Sequence, residues 1–251
     1  MITVIILSKT AALLKRCIQS IVRTHASLEG IEIVIVDDGL IEQPAFSNQF
    51  KYITGSKPFC FARNVNLGIR AAQDDSDIFL MNDDTYFISA NGLKILEKEI
   101  VSNTKLGIIS PVFARRERTP SQRLGHLPSD HGLWIERDGY LTFAAVYLRR
   151  ELLSLVGLMD EDYTGYGFED NDYSLRARLE GYELGVSTEV TMAHGDGWGQ
   201  ASTTFRQDLD NRRFAELATK NKEIFIRKWG ERLIGLGEQD LDKLVELFKM
   251  V

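Results

Sequence analysis

The sequence predicts an α/β fold, with a mainly parallel central sheet flanked by helices and a helical C-terminal extension. Three observations carry this expectation. Ile2-Thr3-Val4-Ile5-Ile6-Leu7 and Ile31-Glu32-Ile33-Val34-Ile35-Val36 are near-continuous apolar runs, as expected of strands buried on both faces. Segments with helical periodicity alternate with such runs, which is the pattern of strands joined by crossover helices. Two runs end in acids, at Asp37-Asp38-Gly39 and Asn82-Asp83-Asp84. Ligands of open α/β sheets sit beyond these carboxyl ends.

The elements follow in order. After the first strand, Ser8 or Thr10 can cap a helix in which Leu13, Leu14, Cys17, Ile18, Ile21 and Val22 recur at helical spacing. A short strand near Lys51–Thr54 leads into a helix over about 61–72. Ile78-Phe79-Leu80-Met81 is a strand, followed by a helix over about 90–101 and a strand over 107–110. Residues 111–139 hold Arg115, Arg116, Arg118, Arg123, His126 and His131 among prolines and glycines, and read as a long loop. A strand is expected over 141–148, a short helix over 150–156, and a helix over 170–180 closed by Gly181. Two short strands follow, at 183–187 and 189–193. Beyond the glycine-rich turn Gly195-Asp196-Gly197-Trp198-Gly199 the chain turns helical from about 206. Leu241, Leu244, Val245, Phe248 and Val251 mark a last amphipathic helix.

Composition excludes several classes. The 251 residues can bury one substantial core, and 44% hydrophobic with 26% charged residues is ordinary for a soluble globular protein. A net charge of −6 gives no global basic field for nucleic acid. Cys17 and Cys60 have no metal-ligand spacing and read as buried small hydrophobes in a reducing compartment. The run at 2–7 is too short for a signal segment, and no apolar stretch reaches about 18 residues, so a cytoplasmic protein is expected, with peripheral membrane attachment left open.

The acids suggest the chemistry. Glu169, Asp170 and Asp172 open an amphipathic helix after Gly165 and Gly167, and Asn82-Asp83-Asp84 ends a strand. Gathered carboxylates repel unless a cation or a proton-transfer task uses them. Helix capping also favours acids at this position, but a cap needs only one. Asp37 and Asp38 can accept a hydrogen bond from a base's ring N–H, or simply bond their own turn. Arg63, Asn64 and Asn66 lie at a helix start suited to phosphate, or serve as plain helix-surface residues. Asp83 is expected to point back into the protein, because side chains alternate along a strand end.

The chain resembles glycosyltransferase family 2. The residues that carry the resemblance are Val4-Ile5-Ile6-Leu7-Ser8, Val36-Asp37-Asp38-Gly39, Ala62-Arg63-Asn64-Val65-Asn66-Leu67-Gly68 and Met81-Asn82-Asp83-Asp84-Thr85. Gly157-Leu158-Met159-Asp160-Glu161, Gly167-Phe168-Glu169-Asp170-Asn171-Asp172, Gly181-Tyr182, His194 and Phe225-Ile226-Arg227-Lys228-Trp229-Gly230 extend it. The resemblance implies a GT-A, Rossmann-like fold with a mixed, mainly parallel sheet. It also implies a catalytic domain over 1–205, divided into a nucleotide-binding half to 110 and an acceptor half from 111, with 206–251 packed on it.

The resemblance places Ser8, Asp37, Asp38, Arg63, Asn66, Asn82 and Asp83 at the nucleotide, most consistently a uridine diphosphate sugar. Asn82-Asp83-Asp84 stands where the family has a DxD-type motif, with asparagine at the usual first acid. Asp84 and His194 are then the metal ligands, for Mn2+ or Mg2+. Asp170 is the implied general base of an inverting transfer, with Glu169 restraining it. Asp172 and Trp198 are assigned to the acceptor, and Trp134 is a further candidate for stacking on a sugar. A glycan, a glycolipid and a protein all remain open as acceptor. The acids of the last helix disfavour anionic lipid, so packing on protein is expected, whether on this domain or in a homo-oligomer. The asparagine motivates an alternative, a non-catalytic nucleotide-sugar or carbohydrate-binding module. A sugar nucleotidyltransferase is disfavoured because Leu7-Ser8-Lys9-Thr10 lacks a glycine- and arginine-rich loop.

Overall fold

The computed structural model describes residues 1–39, 50–114, 122–127, 132–137, 139–195 and 211–234. Strands β1 (Ile2–Ser8), β2 (Ile31–Asp37), β3 (Lys51–Thr54) and β4 (Asp77–Asn82) form a parallel half-sheet in the order β3-β2-β1-β4. Helix α1 (Ala11–Thr24) joins β1 to β2, and α2 (Phe61–Ala71) joins β3 to β4. Alternation along β1 divides its side chains between the two faces. Val4 and Ile6 pack with Leu14, Cys17 and Ile21 of α1, while Ile5 and Leu7 pack with Ala62, Val65 and Ile69 of α2. A Cβ on Gly68 would lie 2.5 Å from Ile5 Cγ2, so glycine is what lets α2 lie this close to β1.

The other half is mixed. It contains β5 (Thr85–Phe87), α3 (Gly92–Ser102), β6 (Leu106–Phe113), β7 (Leu133–Glu136), β8 (Ala145–Leu148), α4 (Arg150–Val156), α5 (Glu169–Leu179) and β9 (Glu183–His194). The order continues from β4 as β8-β6-β9-β5, with β7 also paired to β9. β8 runs antiparallel to both β4 and β6. No crossover helix lies in the described residues between β6 and β8, and a direct return delivers a strand antiparallel.

Several expectations change here. The stretch expected as a loop over 111–139 contributes the end of β6 and all of β7. The two short strands at 183–187 and 189–193 are one strand, β9, whose register against β6 shifts between Pro111 and Val112. Such a bulge keeps the ladder going past an irregular step. The expected strand over 141–148 is shortened to β8, and β5 was not foreseen. Neither Ser8 nor Thr10 caps α1 with its side chain; Asp83 instead accepts the backbone N–H groups of Lys9 and Thr10, just before the helix.

Helix α6 (Asn211–Ile234) docks through Ile224, Phe225 and Trp229 on Tyr163 and Phe168, as a third apolar cluster. The expected helix containing Leu241 and Phe248 lies outside the described residues. Cys17 and Cys60 are both buried and free. Among the described residues no helix is long and apolar enough to cross a membrane.

Candidate active site

Strand register assembles the first part of the site. Ser8 pairs with Asp37 across β1 and β2, and Leu7 pairs with Asn82 across β1 and β4. All three strands therefore end on one side, over an open cavity. Ser8, Lys9, Asp38, Asn82, Asp83 and Asp84 supply its polar lining. Phe59, Phe61 and Tyr166 give it aromatic walls.

The acids in this cavity have separate tasks. Asp83 Oδ2 accepts the Ser8 hydroxyl at 2.8 Å and the backbone N–H groups of Lys9 and Thr10 at 3.2 and 3.4 Å. Its carboxylate fixes the turn into α1, as its strand-end position predicts. Burial pushes Asp83 up to about 6, opposed by the Ser8 bond and reinforced by the neighbouring Asp84 charge. The Ser8 hydroxyl is thus directed at Asp83. Asp37 Oδ1 accepts the Gly39 N–H at 2.8 Å, the turn-stabilising role open to it from sequence. Asp38 lines the cavity, and its Oδ1 receives Lys57 Nζ at 2.9 Å and Asn64 Nδ2 at 3.2 Å.

Asp84 and His194 come together through β5 and β9. Thr85 pairs with His194, and the Gly195 N–H donates to the Asp84 carbonyl at 2.9 Å. His194 Nε2 lies 3.6 Å from Asp84 Oδ1, and both atoms are shielded from solvent. That separation exceeds a hydrogen bond, yet it is short enough for both atoms to reach one ion at about 2.1 Å. One carboxylate and one imidazole form a donor set that fits Mn2+ or Mg2+, with remaining positions for phosphate oxygens and water. No group of three such side chains able to hold a metal occurs among the described residues. The described residues supply a partial shell.

Arg63 and Asn66 face elsewhere. Asn66 is buried, and it bonds Met159 through both the N–H and the carbonyl, and Glu161 Oε1 at 2.9 Å. Arg63 Nε bonds Glu161 Oε2 at 3.1 Å. Together they hold the Glu161 carboxyl below the usual carboxylate range. These two residues, expected at the nucleotide, fasten the 159–161 segment to α2, and neither is among the residues lining the cavity. Asn64, one position away, is the residue of this group that serves the site.

The second acidic cluster borders a larger open cavity, lined by Tyr140, Tyr166, Glu169, Asp170 and residues of α6 including Thr219 and Lys222. Tyr166 belongs to both cavities, so they adjoin across its ring. Asp170 is half-buried at the head of α5, and one of its oxygens accepts the Asn171 N–H at 2.9 Å. Glu169 is 4% exposed and accepts the Gly167 N–H. Asp172 is fully buried. Its oxygens receive Tyr163 Oη, Arg176 Nε, Lys228 Nζ and Trp229 Nε1 at 2.7–3.2 Å. With four donors on it and no exposure, Asp172 ties α5 to α6; the expected acceptor contact is corrected.

Trp134 lies on β7 opposite Val186 and lines neither cavity. Trp198, Arg115, Arg116, Arg118 and His131 lie outside the described residues. Sequence reasoning missed the aromatic walls Phe59, Phe61 and Tyr166, and the orienting role of Asn64. Spacing carried a signal for the last: Phe61, Asn64, Val65 and Gly68 share the core face of α2, where an asparagine needs buried partners.

With this geometry in hand, comparison with known proteins gives the class. The family model described as glycosyl transferase family 2 matches residues 3–162. The chain belongs to that family. None of the curated proteins compared with it matches by sequence. Among solved structures it is similar to GalNAc-T7 with UDP, GalNAc and Mn2+ (TM-score 0.62, 14% identity, 81% of this chain and 45% of that one). It is also similar to the mannosyltransferase PcManGT from Pyrobaculum calidifontis in complex with GDP-Man and Mn2+ (0.59, 16%, 79% and 58%). A third similarity is to S. aureus TarS 1-349 (0.59, 11%, 99% and 79%). The chain spans 45% and 58% of the length of the first two, and identities this low establish the GT-A fold alone.

Proposed function

We propose that the protein is a metal-dependent inverting glycosyltransferase. It moves a sugar from a nucleotide-diphosphate sugar, with uridine as the favoured base, to a hydroxyl of a glycan, glycolipid or protein. The observation that carries this reading is the pair of neighbouring cavities: Asp84 lines the first with His194 3.6 Å behind it, Asp170 lines the second, and Tyr166 lines both. Known structures of the same fold that hold UDP or GDP-Man with Mn2+ support it.

In this reading Asp38, steadied by Asn64 and Lys57, accepts a ring N–H of the base, which the aromatic walls Phe59 and Phe61 enclose. Asp84 and His194 hold the divalent ion, and Asn82 lies beside them. When bound, that ion supplies positive charge to the departing diphosphate. Asp170 accepts the proton of the acceptor hydroxyl, whose oxygen forms the new bond to the anomeric carbon as the bond to the diphosphate oxygen breaks. Attack from the side opposite the leaving group inverts the anomeric centre. Glu169, anchored on Gly167, keeps the start of α5 in place.

Asn82 favours a second reading, a binding module, because an amide in place of an acid weakens the local negative field. Donor hydrolysis separates the two. Incubated with a panel of UDP- and GDP-sugars and Mn2+, the purified protein is expected to hydrolyse one UDP-sugar slowly and to be stabilised thermally by it. Binding without turnover, for any donor or acceptor, would favour the module. His194→Ala should weaken the Mn2+ dependence by about tenfold; an unchanged Mn2+ titration removes His194 from the ligand set.

A further inference from the structure

Helix α6 reaches the segment that leads into α5 through one side chain. Asn221 is fully buried. Its Oδ1 accepts the Thr164 N–H at 3.2 Å, while its Nδ2 donates to the Thr164 carbonyl at 2.9 Å and the Gly167 carbonyl at 2.9 Å. The amide thus pairs with Thr164 as a neighbouring strand would, and also closes the turn at Gly167. This segment has little means of bonding itself: Gly165, Gly167 and Phe168 have φ values of 70°, 112° and 71°. A chain with three left-handed residues in four positions forms no regular ladder. Its other edge is held by α2, where the Phe61 N–H donates to the Gly165 carbonyl at 2.8 Å.

We propose that Asn221 is a positioning residue for the transfer reaction: by gripping 164–167 it fixes Tyr166 between the two cavities and aims Asp170 into the second. The proposal rests on the reading of Asp170 as the base. It makes α6 a working part of the acceptor side. Ile224, Phe225 and Trp229 supply the adhesion of the helix, whereas Asn221 supplies the register. Asparagine suits this task because a primary amide carries two donors and an acceptor in one plane, matching a peptide unit. Alanine would leave the Thr164 N–H and two carbonyls to find other partners. An error of about 1 Å in placing a catalytic group is worth about a hundredfold in rate.

The test compares wild type with Asn221→Ala, Ile224→Ala and Asp170→Asn. Ile224 is 9% exposed on the same helix and packs in the apolar cluster with Tyr163 and Phe168, but its aliphatic side chain can make no hydrogen bond to 164–167, so its variant loosens docking without removing the grip. Hydrogen exchange of 163–168 and turnover of the UDP-sugar most readily hydrolysed with Mn2+ are both measured. Asn221→Ala is expected to speed exchange in 163–168 and lower kcat by about 10- to 100-fold, with donor KM changed by less than about twofold. Ile224→Ala is expected to lose thermal stability while keeping most of its kcat.

Wild-type kcat in Asn221→Ala, or equal loss in both variants at matched thermal stability, overturns the proposal. Should Asn221→Ala fail to fold, Asn221→Ser retains one donor and one acceptor and is judged by the same comparison. A fully active Asp170→Asn would instead sink the reading of the base. If wild type turns over no sugar nucleotide, the functional reading falls, and unchanged exchange in 163–168 would overturn the clamp itself.

Discussion

The two acidic clusters of this protein reach the same division of labour by different geometry. At the strand tip, Asp83 turns back to bond Ser8 and two backbone amides, while Asp84 faces His194. At the helix head, Glu169 holds Gly167 and Asp172 ties down α6, while Asp170 lines the cavity. Asp83 and Asp84 form the two-residue turn between β4 and β5, which sends their carboxylates to different partners. In the helix successive side chains point about 100° apart, which gives each acid its own surroundings. A run of acids in sequence is therefore not a run of equivalent groups: in each cluster at least one carboxylate is engaged by backbone or a neighbouring helix, and Asp84 and Asp170 are the ones we propose for chemistry.

Breaking this contrast should give effects of unequal size and kind. Asp170→Asn is expected to lower transfer by about a thousandfold with no loss of thermal stability, read by kinetics beside calorimetry. Retained turnover would erase the distinction between Asp170 and its neighbours. Asp172→Ala should do the reverse in the first instance, costing about 3 kcal/mol in denaturant unfolding, because Arg176 and Lys228 lose a buried counter-charge. A stability within error of wild type would mean that the tie to α6 carries no weight. Asp83→Ala should cost about 1–2 kcal/mol by removing the acceptor of two N–H groups just before α1, with faster amide exchange at Lys9 and Thr10.

A carboxylate outside both clusters sharpens the comparison with the smallest expected effect. Burial, and then the charge of Glu189, push Glu99 up from 4.5 to about 7. The folded state therefore holds this proton more tightly than the unfolded chain, so the favourable linkage is present below pH 4.5 and lost as pH rises to 7. Glu99→Gln should gain stability relative to wild type over that interval. Because Glu99 is only half-buried, solvent screening limits the gain to about 1 kcal/mol. Chemical unfolding at several pH values measures it, and a flat difference would show that the acid is unstrained.

The legible parts of the sequence were those where one element decides the outcome. β1, β2 and β4 announced themselves through unbroken apolar runs, and the acids after β2 and β4 marked a ligand side, because parallel strands bring their carboxyl ends together. Reading the second half was harder. β7 has four residues and β5 only three, too few for a periodic signal, and β9 is interrupted by its register shift. Arg63 and Asn66 looked like phosphate ligands at a helix start, yet Glu161 and Met159 claim them. Nothing local to α2 could announce that competition.

The amino-acid order alone settled the fold class, the family and the side of the sheet where the strand-end acids gather, since apolar runs and strand-end acids are properties of contiguous residues. Only the tertiary structure decided which partners each acid of a cluster bonds, that His194 stands beside Asp84 across the β5–β9 ladder, and that Asn221 reaches the segment before α5. The contacts of His194 and Asn221 join residues that are 54 to 110 positions apart, where burial and competing hydrogen-bond donors choose each partner.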